Sequence, residues 1–207
     1  MVPAVPSTGP GSPRRRAASR LTPRPSAREL AEAVERRAVV PDVVAPGLDV
    51  LFCGINPGRW SGAVGHHFAH PGTRFWRALH LSGFTGRQLD PAEERLLLAC
   101  GLGITNLVDR TTAAASDLSA AELRKGSTVL ERKVRRLRPR AVAFLGMGAF
   151  RVAFGRPRAA VGRQPELLAG AVVWLLPNPS GLQAAYGLDG VVEQLRALRV
   201  FVVSGAE

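Results

Sequence analysis

The sequence predicts an α/β fold, a three-layer α/β/α sandwich around a mostly parallel sheet of four to five strands. Three observations carry that expectation: short runs that are apolar without alternation, amphipathic segments between them, and two such runs that break directly into Asn-Pro. A strand that is apolar on both faces is covered on both sides, as in a parallel sheet between two helical layers. At 207 residues and 46% hydrophobic content, the chain can bury the core of one domain.

In chain order, residues 26–38 have helical spacing, with Ser26 as N-cap and Leu30, Ala31 and Val34 as the apolar side. Residues 49–55 (DVLFCGI) read as a buried strand that ends in Asn-Pro-Gly. Residues 73–82 and 91–100 look helical, residues 103–108 (GITNLV) read as the second strand, and Ala120–Leu137 as a long helix. The third strand is residues 141–146, followed by a helix over Met147–Phe154, a strand over Ala171–Leu176 (AVVWLL) and a closing helix over residues 188–198. Ligands of such sheets bind beyond the carboxyl ends of the strands, where the loops INPG and PNPSGL should open together.

Charge narrows the partner. Lys and Arg number 28 against 16 Asp and Glu, a net charge of +12 that points to a polyanion. Residues 1–28 hold Arg14, Arg15, Arg16, Arg20, Arg24 and Arg28 and no acid, so this segment carries +6 of the total. Rich in Pro, Ser, Gly and Ala, it reads as a disordered basic arm, with the folded domain over residues 29–207. A second basic run, residues 131–140 (ERKVRRLRPR), reads as a solvated helix face behind a buried stripe of Leu130, Val134 and Leu137.

Other classes are excluded. No stretch reaches the roughly 18 apolar residues of a membrane span, and the N-terminus lacks a secretory apolar region, so a cytoplasmic monomer is expected. Two cysteines, Cys53 and Cys100, cannot build a disulfide scaffold or a four-cysteine metal site. His66, His67 and His70 lack metal-ligand spacing and accompanying acids, so neither metal nor cofactor is expected. Phe68 is a candidate platform for stacking a planar base, whereas Phe75 and Trp76 belong to the core.

Four segments then coincide in order: GINPG (54–58), GHHFAHPGTRFW (65–76), GITNLVDRTT (103–112) and LPNPSGL (176–182). Together they resemble the mismatch-specific uracil and thymine DNA glycosylases of the uracil-DNA glycosylase superfamily, over about residues 45–203. The resemblance implies an enzyme that extrudes a damaged pyrimidine from double-stranded DNA and hydrolyses its N-glycosidic bond, chiefly at uracil in G·U pairs. It implies that Asn56 holds the attacking water and that Gly54, Ile55, Gly58, Ser61, Phe68 and Asn106 shape the base pocket. Asn178, Ser180 and Gly181 would hold the DNA backbone, and Leu182 would be the wedge that fills the vacated stack. Trp60 stands where the resemblance implies a smaller side chain.

The residue types limit the chemistry. A carboxamide orients a water but is no effective general base, so the bond must break largely by departure of the base. The only lysines, Lys125 and Lys133, fall on the long helix, away from both loops, which argues against Schiff-base chemistry and for a monofunctional enzyme. The alternative from another class is a non-catalytic or weakly catalytic module that binds mismatched or abasic DNA. A small-molecule nucleotide hydrolase is disfavoured by the absence of a Walker-type loop.

Overall fold

The computed structural model describes residues 21–180 and 186–204. Five strands form one sheet: β1 (Val50–Gly54), β2 (Leu102–Asn106), β3 (Ala141–Leu145), β4 (Gly162–Leu168) and β5 (Ala171–Leu176), in the order β2-β1-β3-β5-β4. All neighbouring pairs are parallel except β4 with β5. The helices are α1 (Ala27–Glu35), α2 (Arg59–Val64), α3 (Phe75–Leu81), α4 (Ala120–Leu137), α5 (Met147–Phe154) and α6 (Leu188–Ser204).

Alternation along the strands divides the core into two halves, one on each face of the sheet. Val50 and Phe52 of β1 pack with Phe75, Leu79, Leu195 and Leu198 beneath α3 and α6. Leu51 and Cys53 pack with Leu130, Val134 and Phe150 beneath α4 and α5. Every residue of β1, β2 and β3 is buried, which is the physical basis of the uninterrupted apolar character of β1 and β3; β2 is apolar up to the buried polar pair Thr105 and Asn106 at its end. Phe75 and Trp76 lie in the core as expected.

Local signals set several boundaries. Ser26 and Glu29 form a capping box at the start of α1, and Ser119 with Glu122 does the same for α4. The folded chain reaches back beyond the expected boundary at residue 29: Ser26 caps α1, and the Thr22 N–H donates to Asp90 Oδ1 at 2.9 Å. The closing helix also runs six residues past residue 198, carrying Val202 into the core.

Three features depart from expectation. Residues 91–100 are helical but wind as a 3-10 helix, Pro91–Cys100, in which Glu94 and Leu97, three apart, are the buried pair. β4 escaped the sequence reading because it is an edge strand with an exposed pattern and an internal Pro165. Its two-residue connection to β5, Ala169-Gly170, has φ of +48° and +91°, the positive values a tight primed hairpin turn requires. Lys133 does not join the solvated face of α4: its Nζ pairs with Asp42 Oδ2 at 2.8 Å and donates to Thr105 Oγ1 at 3.1 Å. It therefore braces β2 from behind, closer to the loops than its place on the long helix implied.

The sheet order places β1 between β2 and β3, so the chain moves one way across the sheet from β1 to β2 and then back the other way past β1 to β3. The crevice at the carboxyl end of β1 is a topological switch point, and Asn56 follows it directly.

Candidate active site

A cavity of about 800 Å³ opens at that edge. It gathers Ile55, Asn56 and Gly58 after β1, Ser61 of α2, Phe68, Asn106 at the end of β2, and Asn178 and Ser180 after β5. Gly54 lies one layer deeper, in β1. Gly181 and Leu182 lie outside the described residues.

The loop after β1 is laid against the loop after β2. Gly54, Ile55 and Pro57 carbonyls accept from the N–H groups of Leu107, Val108 and Thr112 at 2.9, 2.9 and 3.2 Å. That pairing carries Arg110 and Thr112 to the Asn56 side chain, whose Nδ2 donates to Arg110 O at 3.0 Å and Thr112 Oγ1 at 2.8 Å. The Thr112 hydroxyl spends its own hydrogen on Ala114 O at 2.7 Å, so it can only accept from Asn56. The amide is thereby fixed with its nitrogen toward the protein. Asn56 Oδ1 accepts from no other described residue and borders the cavity.

Asn106 is oriented from behind by His67. The imidazole Nε2 faces Pro41 O at 3.0 Å, and since a carbonyl cannot donate, Nε2 carries the proton. Nδ1 is then an acceptor toward Asn106 Nδ2 at 3.5 Å. Burial is the main influence on His67 and pushes its pKa below the ordinary histidine value, which keeps the ring in that neutral tautomer. The partner of His66 is Glu94, 3.0 Å from its Nδ1, and the same carboxylate accepts from the His67 N–H at 2.7 Å. Two of the three histidines thus hold the loop in place. Among the described residues, no group of three His, Cys, Asp or Glu side chains is arranged to hold a metal ion.

Phe68 supplies an aromatic face. Its ring stacks on Phe75 with centroids 4.1 Å apart, leaving the rest to border the cavity. Its φ of +49° is the left-handed region, rarely adopted by an aromatic residue, and the Trp76 indole N–H holds its carbonyl at 3.2 Å. The Phe68 N–H has no acceptor among the described residues. Ser61 is buried, and its hydroxyl accepts from the Ala69 N–H at 3.2 Å, tying α2 to the Phe68 loop.

Two glycines contribute in different ways. A Cβ at Gly54 would stand 2.6 Å from Asn106 Oδ1 and 3.4 Å from the Phe68 ring, so the bare backbone makes room for both pocket groups. Gly58 has φ of −75° and open space around its Cα, so it leaves a clear approach rather than relieving strain. In the loop after β5, Asn178 Oδ1 is occupied by the Ser180 N–H at 3.0 Å, an internal turn that leaves the Asn178 amide nitrogen to face a ligand. Arg74 anchors that loop, its N–H donating to Pro179 O at 2.9 Å.

The segments that build the cavity lie, apart from α1, within one family match. A model described as "Uracil DNA glycosylase superfamily" matches residues 41–200. The chain belongs to the uracil DNA glycosylase superfamily. Among solved structures, its fold is similar to the solution NMR structure of a proposed uracil DNA glycosylase from Methanosarcina acetivorans. The two share 17% identity at a TM-score of 0.56, over 79% of this chain and 98% of that one. Helix α1 precedes the segment matched to the superfamily, yet its Leu30 reaches the cavity wall.

The described pocket candidates other than Gly54 line this one cavity, whereas the groups that fix them are not among the residues the sequence assigns to the pocket. Arg110 and Thr112 lay inside a quoted motif, GITNLVDRTT, where two polar residues after a buried strand were the available signal. His67 was weighed only as a metal ligand. No helix among the described residues is long and apolar enough to cross a membrane.

Proposed function

We propose that the protein is a monofunctional DNA glycosylase that flips uracil out of double-stranded DNA, chiefly from G·U pairs, and hydrolyses its N-glycosidic bond. Related damaged pyrimidines are secondary substrates, and the abasic product passes to base excision repair. It acts as a cytoplasmic monomer without metal or cofactor. The observation that carries this reading is the Asn56 amide, locked by two N–H donations so that Oδ1 is left as an acceptor at the cavity.

A water donating to that oxygen is oriented but not deprotonated. Cleavage therefore begins with the bond between C1′ and the base, whose electron pair leaves with the base. The oriented water then adds to the oxocarbenium-like sugar and loses its proton to solvent, while the departed base anion takes one up, so that the abasic sugar and the neutral base are the products. The leaving base needs stabilisation as negative charge grows on it, and fixed donors in a dry site provide that best. The unpaired Phe68 N–H and the second N–H of Asn106 are two such donors. Asn106 also presents an acceptor, matching the O4 and N3–H edge of uracil, while Phe68 stacks on its face. Asn178 and Ser180 hold the backbone of the extruded nucleotide, with Leu182 as the wedge. Residues 1–28 add sequence-independent attraction to DNA.

The deciding assay incubates the protein with duplexes carrying G·U, A·U or G·T, followed by alkali. Strand cleavage fastest at G·U is expected, and no cleavage above the matched control on either uracil duplex overturns the proposal. Tight binding to an abasic duplex without base release would select the non-catalytic binding module instead.

A further inference from the structure

Of the described residues that line the cavity, Arg59 alone carries a fixed charge. It is the first residue of α2, it is exposed, and it makes no ion pair or hydrogen bond with any described residue. Other arginines near the site are committed: Arg110 pairs with Glu122 at 2.7 Å, and Arg74 donates to Tyr186 O at 2.8 Å. His70 shares the rim with Arg59. Its Nδ1 accepts from the Gly72 N–H at 3.0 Å, so in the neutral ring the proton sits on Nε2, a free donor. Arg59 and His70 line the same cavity, and burial, with the Arg59 charge secondarily, lowers the His70 pKa. The Trp60 ring packs edge-on against His70 with centroids 5.5 Å apart.

A planar guanidinium and a ring N–H donor on the wall of one cavity, whose other described lining residues carry no fixed charge, fit a singly charged tetrahedral oxyanion. On DNA that group is the phosphodiester, which positions a strand without reading its sequence. We propose that Arg59 and His70 Nε2–H, with Trp60 bracing the imidazole, clamp a phosphodiester of the strand that carries the extruded nucleotide. The clamp rests on the DNA reading above, and it gives the large side chain at Trp60 a task that a smaller one could not perform.

The test is fluorescence anisotropy with a duplex carrying a stable abasic analogue, titrated at several salt concentrations, together with steady-state kinetics on the G·U duplex. Arg59→Ala should weaken binding roughly tenfold and lower the slope of log K against log salt by about one, the signature of one lost phosphate contact. Arg59→Lys should keep the slope while losing part of the affinity. His70→Ala should weaken binding about threefold without changing the slope, since it removes a neutral donor. The loss should appear in KM. An unchanged salt slope for Arg59→Ala overturns the clamp, as does a fall in kcat at unchanged KM, which would put the guanidinium on the leaving base. If the wild type binds but releases no uracil, the enzyme reading fails while the clamp is still decided by the salt slopes. If the wild type does not bind the duplex, both fail.

Discussion

Thr112 Oγ1 accepts from Asn56 Nδ2 at 2.8 Å and donates to Ala114 O at 2.7 Å, so this hydroxyl works with the carbonyls of Arg110 and Pro57 to set which way the Asn56 amide faces. Two loops from different strands meet at this bond, and their backbone pairing from Gly54 to Thr112 keeps the distance short. Under the proposed mechanism the orientation of the water therefore depends in part on a residue with no need to touch it.

Thr112→Val keeps the volume and removes the hydroxyl. Losing one hydrogen bond of about 1–2 kcal/mol loosens the amide, which keeps only its bonds to Arg110 O and Pro57 O, and kcat in single-turnover uracil release should fall roughly 5- to 30-fold with KM little changed. Thr112→Ser restores the acceptor and should restore the rate. Asn56→Ala removes the amide itself, so it should abolish turnover while retaining binding to abasic duplex.

His67 predicts an acid limb. Its pKa in the fold is lowered below the ordinary value of 6.5, mainly by burial. Above that value the ring is neutral both folded and unfolded and costs nothing. As pH falls below 6.5 the unfolded chain takes up the proton first, and stability declines until the folded pKa has been passed. The same proton converts Nδ1 from acceptor to donor and turns it against the Asn106 amide. The pH profile of kcat/KM should therefore fall on the acid side with an apparent pKa below 6.5, and His67→Gln, which has no titrating ring, should flatten that limb. A limb unchanged in the variant would assign it to another group.

Much of this arrangement is written in short-range signals. Apolar runs marked β1, β3 and β5, and a shorter one marked β2, because both faces of each are covered, and the Asn-Pro breaks after β1 and β5 marked the edge where the strands end. β4 carries no such signal, because an edge strand exposed to water needs neither apolar faces nor the absence of proline. At the site, the groups bordering the cavity belonged to recognisable motifs. The bonds that aim them did not, because Asn56 to Arg110 and His67 to Pro41 join residues far apart in sequence. Lys133 shows the same limit, since helical spacing places it among solvated arginines and only Asp42 and Thr105 explain why it turns inward.

Gly54→Ala adds one methyl group at the crowded end of β1. The new Cβ would stand 2.6 Å from Asn106 Oδ1, and the amide is the group able to yield. The protein should remain folded, with a melting temperature within several degrees of wild type, because the displaced atom ends a side chain and no backbone atom lies in the way. Uracil release should drop at least tenfold in kcat/KM as Asn106 loses its place, and Asn106→Ala in the same background should add little further loss. Additive losses would show that the two residues act separately.

Phe68 separates ring from backbone. Phe68→Ala removes the stacking face but keeps a side chain at φ of +49°, whereas Phe68→Gly removes the ring and also relieves the left-handed strain. Stacking of a base on an aromatic ring is worth about 1–3 kcal/mol, so both variants should lose roughly 10- to 100-fold in kcat/KM for uracil release. Their stabilities should differ: the Gly variant trades strain relief against added freedom in the unfolded chain, and thermal melts should place it at or above the Ala variant. Phe68→Tyr keeps the ring and the contact with Phe75 at 4.1 Å and should retain most activity. Equal activity in the Ala and Tyr variants would remove Phe68 from base binding and leave it only as packing for Phe75.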